Sequence, residues 1–76
     1  MEFFCIGDED TVRGFRLAGV AGAVTGSAEG VSGALAEAAA NPECGVVIIT
    51  SAAAGLARAQ VDGMRLHRAR PLVVEL

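Results

Sequence analysis

The sequence contains no lysine, tryptophan or tyrosine, and only three phenylalanines, two prolines and one histidine. All six basic residues are arginines, and the formal net charge is -3. Nucleic-acid-binding surfaces are built from clustered positive charge, so the composition predicts no nucleic-acid partner. No uninterrupted apolar run approaches the roughly 18 residues that cross a bilayer. We therefore expect no direct insertion into a membrane.

Cysteine is also scarce. Cys5 and Cys44 each lie in or at the start of an apolar strand-like run, and no Cys-x-x-Cys pair occurs. Together with an acidic N-terminus, this usage predicts reduced thiols and an intracellular protein. The 76 residues, 53% of them apolar, predict one small folded domain rather than a disordered chain.

Apolar strand-like runs alternate with helical patterns along the whole chain. The predicted strands cover residues 2–6, 20–25, 44–50 and 72–76, and the predicted helices cover residues 11–20, 29–40 and 52–67. Such β-α-β-α-β-α-β alternation favours a parallel sheet between two helical layers. The predicted fold class is a small α/β, flavodoxin-like or receiver-like, three-layer domain. It has a four-stranded parallel sheet of order 2-1-3-4 and three helices.

That strand order has a consequence for the faces of the sheet. Crossovers between parallel strands are right-handed, so the first helix is expected alone on one face and the other two helices on the opposite face. The apolar sheet beside the first helix is then left uncovered over the third and fourth strands. Parallel sheets are normally covered on both faces. We expect a partner, or a further helix following Leu76, to cover it.

Three consecutive acids follow the first strand directly. Asp8 or Asp10 can cap the next helix, and acids in its first turn match the helix dipole. A carboxylate group at a strand end can also hold a divalent metal, as in receiver domains. Phosphoryl transfer in those domains needs an Asp at the end of the third strand and a Lys, whereas this chain has Thr50 there and no Lys. A degenerate receiver-like, metal-binding signalling domain is therefore the alternative interpretation.

No catalytic constellation is visible in the sequence. Gly7, Gly14 and Gly19 do not fit a dinucleotide-binding fingerprint, and no phosphate-binding loop occurs. His67 lies among arginines, and no serine stands in a nucleophile motif. The sequence predicts no catalytic residue, no metal ligand and no cofactor. A flavin-binding enzyme of flavodoxin-like architecture is disfavoured by the short chain and the acidic turn.

Residues 6–20 read Ile-Gly-Asp-Glu-Asp-Thr-Val-Arg-Gly-Phe-Arg-Leu-Ala-Gly-Val. This segment resembles the N-terminal signature of the F subunit of the V-type and A-type rotary ATPases. The later strands at residues 45–50 and 71–75 are also similar to that family. The resemblance implies a domain spanning residues 1–76 that is the N-terminal part of a longer family domain, because the C-terminal helix usual in the family is missing here.

The resemblance also implies a function. The F subunit is a non-catalytic protein of the central stalk. It has the coiled-coil D subunit and the catalytic head as partners, and it helps couple ATP hydrolysis or synthesis to proton or sodium transport. The resemblance implies a cytoplasmic protein held at the membrane periphery by the ATPase complex. The expected partner-contact edge comprises Asp8, Glu9, Asp10, Thr11, Arg13 and Arg16.

Overall fold

The computed structural model describes all 76 residues and contains one four-stranded parallel sheet of order β2-β1-β3-β4. Its strands are β1 (Glu2–Gly7), β2 (Ala21–Val24), β3 (Cys44–Ile49) and β4 (Leu72–Glu75). Its helices are α1 (Glu9–Leu17), α2 (Ala28–Ala40), α3 (Ser51–Leu56) and α4 (Arg58–His67). The expected fold class, strand order and parallel pairing are confirmed.

The main core lies on one face of the sheet, under α2, α3 and α4. Alternate residues of a strand point to opposite faces, and the pairing aligns Phe4 with Val47 and Val47 with Val73 on this face. The thirteen buried core residues are Ile6, Val31, Ala34, Leu35, Ala38, Cys44, Val47, Ile49, Ala53, Ala54, Val61, Met64 and Val73. Helix α2 contributes four of them, Val31, Ala34, Leu35 and Ala38, at helical spacing.

Helix α1 lies alone on the other face, over β1 and β2. Val12 is its one fully buried residue and packs beside Cys5 and Gly22. Phe15 of the same helix is half-buried. Neither Val12 nor Cys5 belongs to the main core cluster, as expected for a helix on the opposite face. Right-handed crossovers therefore distribute the helices as the strand order predicted.

The third predicted helix is divided in two. A capped α3 begins after Thr50, whose hydroxyl accepts from the backbone N–H of Ala53 at 3.1 Å. The chain leaves helical geometry at Ala57 (φ -141°, ψ 46°), and α4 starts at the next residue without a side-chain cap. The break redirects the chain so that α4 packs along β4. Leu56, the last residue of α3, is 43% exposed.

No helix of the structure is both long enough and apolar enough to cross a membrane.

Candidate partner-docking edge

The acidic turn sits where β1 and β3 end side by side in the middle of the sheet. Gly7 closes β1, and a Cβ atom built on it would lie 2.5 Å from Cγ2 of Thr50. Only glycine therefore lets the two strand ends approach so closely. In open α/β sheets the crevice at the carboxyl ends of the strands, where the strand order reverses, is the usual place for ligands or partners. Asp8, the next residue, stands at that position.

Asp8 caps α1. Its carboxylate accepts hydrogen bonds from the Thr11 backbone N–H at 3.1 Å and from the Thr11 hydroxyl at 2.8 Å. The hydroxyl bond and then the backbone bond lower the pKa of the Asp8 carboxyl below its ordinary value. The prediction that Asp8 or Asp10 caps the helix is thus resolved in favour of Asp8. The helix starts at Glu9, two residues earlier than the sequence pattern suggested, because the cap sets its first turn.

The remaining charged residues of the turn and helix point in different directions. Glu9 and Arg13 form an exposed pair one helical turn apart, at 3.7 Å. Arg16 donates a long hydrogen bond of 3.4 Å to the Gly22 carbonyl. Asp10 makes neither an ion pair nor a side-chain hydrogen bond. The acids therefore diverge, and no three His, Cys, Asp or Glu side chains of the chain converge on a point that could hold a metal ion.

The six residues of the predicted contact edge are spread along α1, from its cap, Asp8, to Arg16 in its last turn. Five are exposed and Thr11 is half-buried. This edge carries three carboxylates and two guanidiniums, and its only strong internal contacts are those of the cap. It presents exposed charges along one helix. That arrangement fits protein docking better than small-molecule binding.

The other end of α1 is closed by backbone geometry that the sequence pattern did not predict. Gly19 adopts a positive φ of 90°. Its N–H bonds to the Arg16 carbonyl, and the Val20 N–H bonds to the Phe15 carbonyl, each at 3.0 Å. These two bonds form a Schellman motif, with half-buried Val20 and Phe15 as its usual apolar pair. The prediction of a helix reaching residue 20 was wrong. Gly19 itself was the available stop signal.

A second polar cluster escaped the sequence analysis. Glu75, at the end of β4, accepts hydrogen bonds from both terminal nitrogens of Arg58, at 2.7 and 2.9 Å, and one from Ser51 at 3.3 Å. Arg65 stands 4.0 Å away. The Arg58 hydrogen bonds lower the pKa of the Glu75 carboxyl. The cluster fastens the end of β4 to α3 and α4, and all its charges are used internally.

The other candidate groups of the sequence are His67, Cys5 and Cys44. His67 is exposed at the end of α4. Both cysteines are buried and unpaired, and burial raises the pKa of each thiol. A buried thiol with a raised pKa is a poor nucleophile. A cleft of about 160 Å³ lies beneath α2, lined in part by Phe4, Glu37 and Cys44.

Comparison with known proteins decides the family. A family model described as ATP synthase (F/14-kDa) subunit matches residues 4–76, which is nearly the whole chain. The chain belongs to this family. Its members are accessory subunits of rotary ATPases, so the resemblance seen at residues 6–20 is confirmed. No curated protein matches the chain in sequence.

A solved structure agrees with this assignment at the level of the fold. The chain is similar to the crystal structure of the F subunit of the V-type ATP synthase from Archaeoglobus fulgidus, with a TM-score of 0.79 and 24% sequence identity. The alignment covers 99% of this chain and 95% of that one. The four-stranded sheet and its helices therefore share the fold of that protein.

Proposed function

We propose that this chain is a non-catalytic component of the central stalk of a rotary ATPase and that it binds the coiled-coil D subunit. In that role it works at the membrane periphery, on the cytoplasmic side, and transmits rotation between the catalytic head and the ion-conducting part. The observation that carries the proposal is the family match over residues 4–76. The geometry supports a non-catalytic role, since the titratable side chains lie apart, cap a helix or form ion pairs with one another.

The docking edge of this proposal lies along α1 and consists of Asp8, Glu9, Asp10, Thr11, Arg13 and Arg16. Its charges are exposed, and screening by water and salt makes exposed charges more important for orientation and association rate than for affinity. We therefore expect charge changes here to slow assembly with the coiled-coil partner and to make its rate less dependent on salt. The cap itself must be kept, because it defines the position of α1.

The experiment uses a pair of substitutions that removes charge without removing the cap. Asp8→Asn with Asp10→Asn keeps a capping side chain, since Asn and Asp cap helices about equally well. The matched control is Glu29→Gln with Glu37→Gln, which removes two exposed acids from α2. Association with the D subunit of the same organism is followed by stopped-flow fluorescence at several salt concentrations.

We expect the first double variant to associate several-fold more slowly at low salt, and the α2 control to match the unmodified chain. Equal rates for all three proteins would leave the acids of the turn with a structural role only. Failure of the unmodified chain itself to bind the D subunit would overturn the proposed function.

A further inference from the structure

One face of the sheet is apolar and uncovered where β3 and β4 extend beyond α1. On these strands every second residue points to the α1 side, and the register places Phe3 beside Val46, Val46 beside Leu72, and Ile48 beside Val74. Leu72 is 61% exposed, Phe3 43% and Val74 40%, while Val46 and Ile48 are half-buried. We call this set of five residues the open sheet face. Val47 and Val73, which lie next to them in the strands and point to the opposite face, are buried.

The dimensions of the open sheet face fit one α-helix. Neighbouring strands lie about 4.8 Å apart, so β3, β4 and the near side of β1 span roughly 10 Å. An α-helix with its side chains is about 10–12 Å across. A stable interface between two globular chains uses about 20–30 residues a side. The five side chains of this face are too few for a second copy of the chain, and they suffice for one apolar helix stripe.

The side of α1 that borders this face is lined by small residues. Arg16 reaches the Gly22 carbonyl on the outer strand β2, which fixes the rotation of the helix. With about 100° per residue, Thr11, Gly14 and Ala18 then face the opposite way, toward β3. A Cβ atom built on Gly14 meets no atom within 4 Å. A second helix can therefore approach α1 closely while its apolar stripe rests on the strands.

Charge determines which way that helix runs. Asp8 and Asp10 stand at the carboxyl end of the sheet, and Asp10 has no ionic partner in the chain. A helix N-terminus carries partial positive charge and is stabilised by nearby carboxylates, whereas a helix C-terminus is destabilised by them. The docked helix consequently has its N-terminus beside these acids. It runs in the same direction as α1, antiparallel to the strands.

We propose that the open sheet face binds an amphipathic α-helix of another protein chain, whose positively charged end lies against Asp8 and Asp10. The inference rests on the proposed function, in which the chain docks on a helical partner, and it adds which surface does so. Apolar contact supplies the affinity, and Asp8 and Asp10 set the direction in which the bound helix runs.

The first test compares apolar-to-lysine substitutions at exposed positions. Leu72→Lys with Val74→Lys changes the open sheet face, while Leu17→Lys with Leu66→Lys changes exposed leucines elsewhere, which are 86% and 77% exposed. Thermal unfolding checks that both proteins fold. Binding to the D subunit is expected to weaken about tenfold or more in the first protein and to stay unchanged in the control. Equal binding by all proteins overturns this inference and leaves the proposed function standing.

A second variant changes the neighbouring helix without touching the strands. Gly14→Leu fills the space beside the open sheet face and improves helix propensity, so the fold is kept. Gly33→Leu on α2 is the matched control, because its Cβ position is also empty. We expect Gly14→Leu alone to weaken binding. Unchanged binding in this variant contradicts a helix lying against α1.

A third test does not depend on the native stalk partner. The probe is a synthetic amphipathic helix with a leucine stripe and two arginines in its first turn, and the control peptide has the same composition in scrambled order. The expected result is amide shift changes at Val46, Ile48, Leu72 and Val74 that only the first peptide produces. If the peptide produces these shifts but the chain does not bind the D subunit, the open sheet face is supported as a helix-binding surface and the proposed function is refuted. The inference would be overturned if the peptide produced no such shifts. It would also be overturned if the chain formed a dimer that Leu72→Lys dissociates, because a second copy would then cover this face.

Discussion

Replacing Gly22 by alanine tests how closely α1 and β2 must approach. A Cβ atom at Gly22 would lie 2.7 Å from the Cys5 carbonyl oxygen and 2.8 Å from Cγ1 of Val12. The carbonyl belongs to the backbone of β1, which pairs with Gly22 in the sheet, so it has no freedom to retreat. Val12 is the one fully buried residue of α1. The added methyl group must push the helix away or break the pairing.

The expected cost follows from overpacking a well-packed site, which destabilises proteins by about 1–3 kcal/mol. In a domain of this size each kcal/mol lowers the unfolding midpoint by about 4–8 °C, so the midpoint is expected to fall by roughly 5–20 °C. Urea unfolding followed by circular dichroism measures the same loss as a free energy. The slope of the transition should stay unchanged, because the exposed area on unfolding stays nearly the same.

The control is the same substitution where space is available. Gly33 lies within α2 with no atom within 4 Å of its Cβ position. Gly33→Ala is expected to stabilise the protein by about 1 kcal/mol, because alanine is the better helix former. Opposite signs for the two substitutions support the close approach at Gly22. A Gly22→Ala protein as stable as the unmodified chain would refute the packing described for α1.

Three further outcomes are expected. Asp8→Ala should lower the unfolding midpoint measurably while Asp8→Asn leaves it nearly unchanged, because only alanine removes the cap; equal melting curves would contradict the capping role. Arg58 lowers the pKa of Glu75, so their contact stabilises the fold above about pH 4, and this stabilisation is lost as the pH falls further. Glu75→Gln should therefore make the unfolding midpoint decline less steeply between about pH 5 and 3. A decline as steep as that of the unmodified chain would contradict this role of Glu75. Cys5 should react with a thiol reagent only after unfolding, and rapid labelling of the native protein would show that its burial is wrong.

The arrangement of the sheet could be predicted from the sequence because its signals are local and redundant. Residues 44–49 form a continuous run rich in β-branched side chains, and Asn41 before Pro42 ends the preceding helix at the expected place. The alternation of elements then fixes parallel pairing, and the handedness of crossovers fixes which face α1 occupies. The open sheet face follows from these rules alone. It appears in the structure over β3 and β4.

The division of the third helix was not predictable from periodicity. Ala54 and Val61 are both fully buried, and they are seven residues apart. That spacing is about two helical turns, so one continuous helix would also place both on one face. Neither Pro nor Asn marks Ala57, and α4 packs along β4 after the break. Tertiary contacts of this kind leave no local signal.

The polar contacts also differ in whether the sequence could predict them. The cap of Asp8 on Thr11 joins residues three apart, so the sequence suggested it, while the bond from Arg58 to Glu75 spans seventeen residues and two elements. Only the register of β4 against β3, which pairs Ile49 with Glu75, brings that carboxylate to α4. The residues of the docking edge could be listed from the sequence, but their divergent directions depend on the rotation of α1.

The central claim is membership of a working rotary ATPase, and purification from the native cell tests it most directly. The chain is tagged at its chromosomal locus, the membranes are solubilised in mild detergent, and the purified material is examined by quantitative mass spectrometry. We predict that the coiled-coil stalk partner is recovered in amounts equal to the tagged chain, together with the proteins of the catalytic head. A tagged chain recovered alone, while the intact ATPase elutes without it, would contradict the assignment.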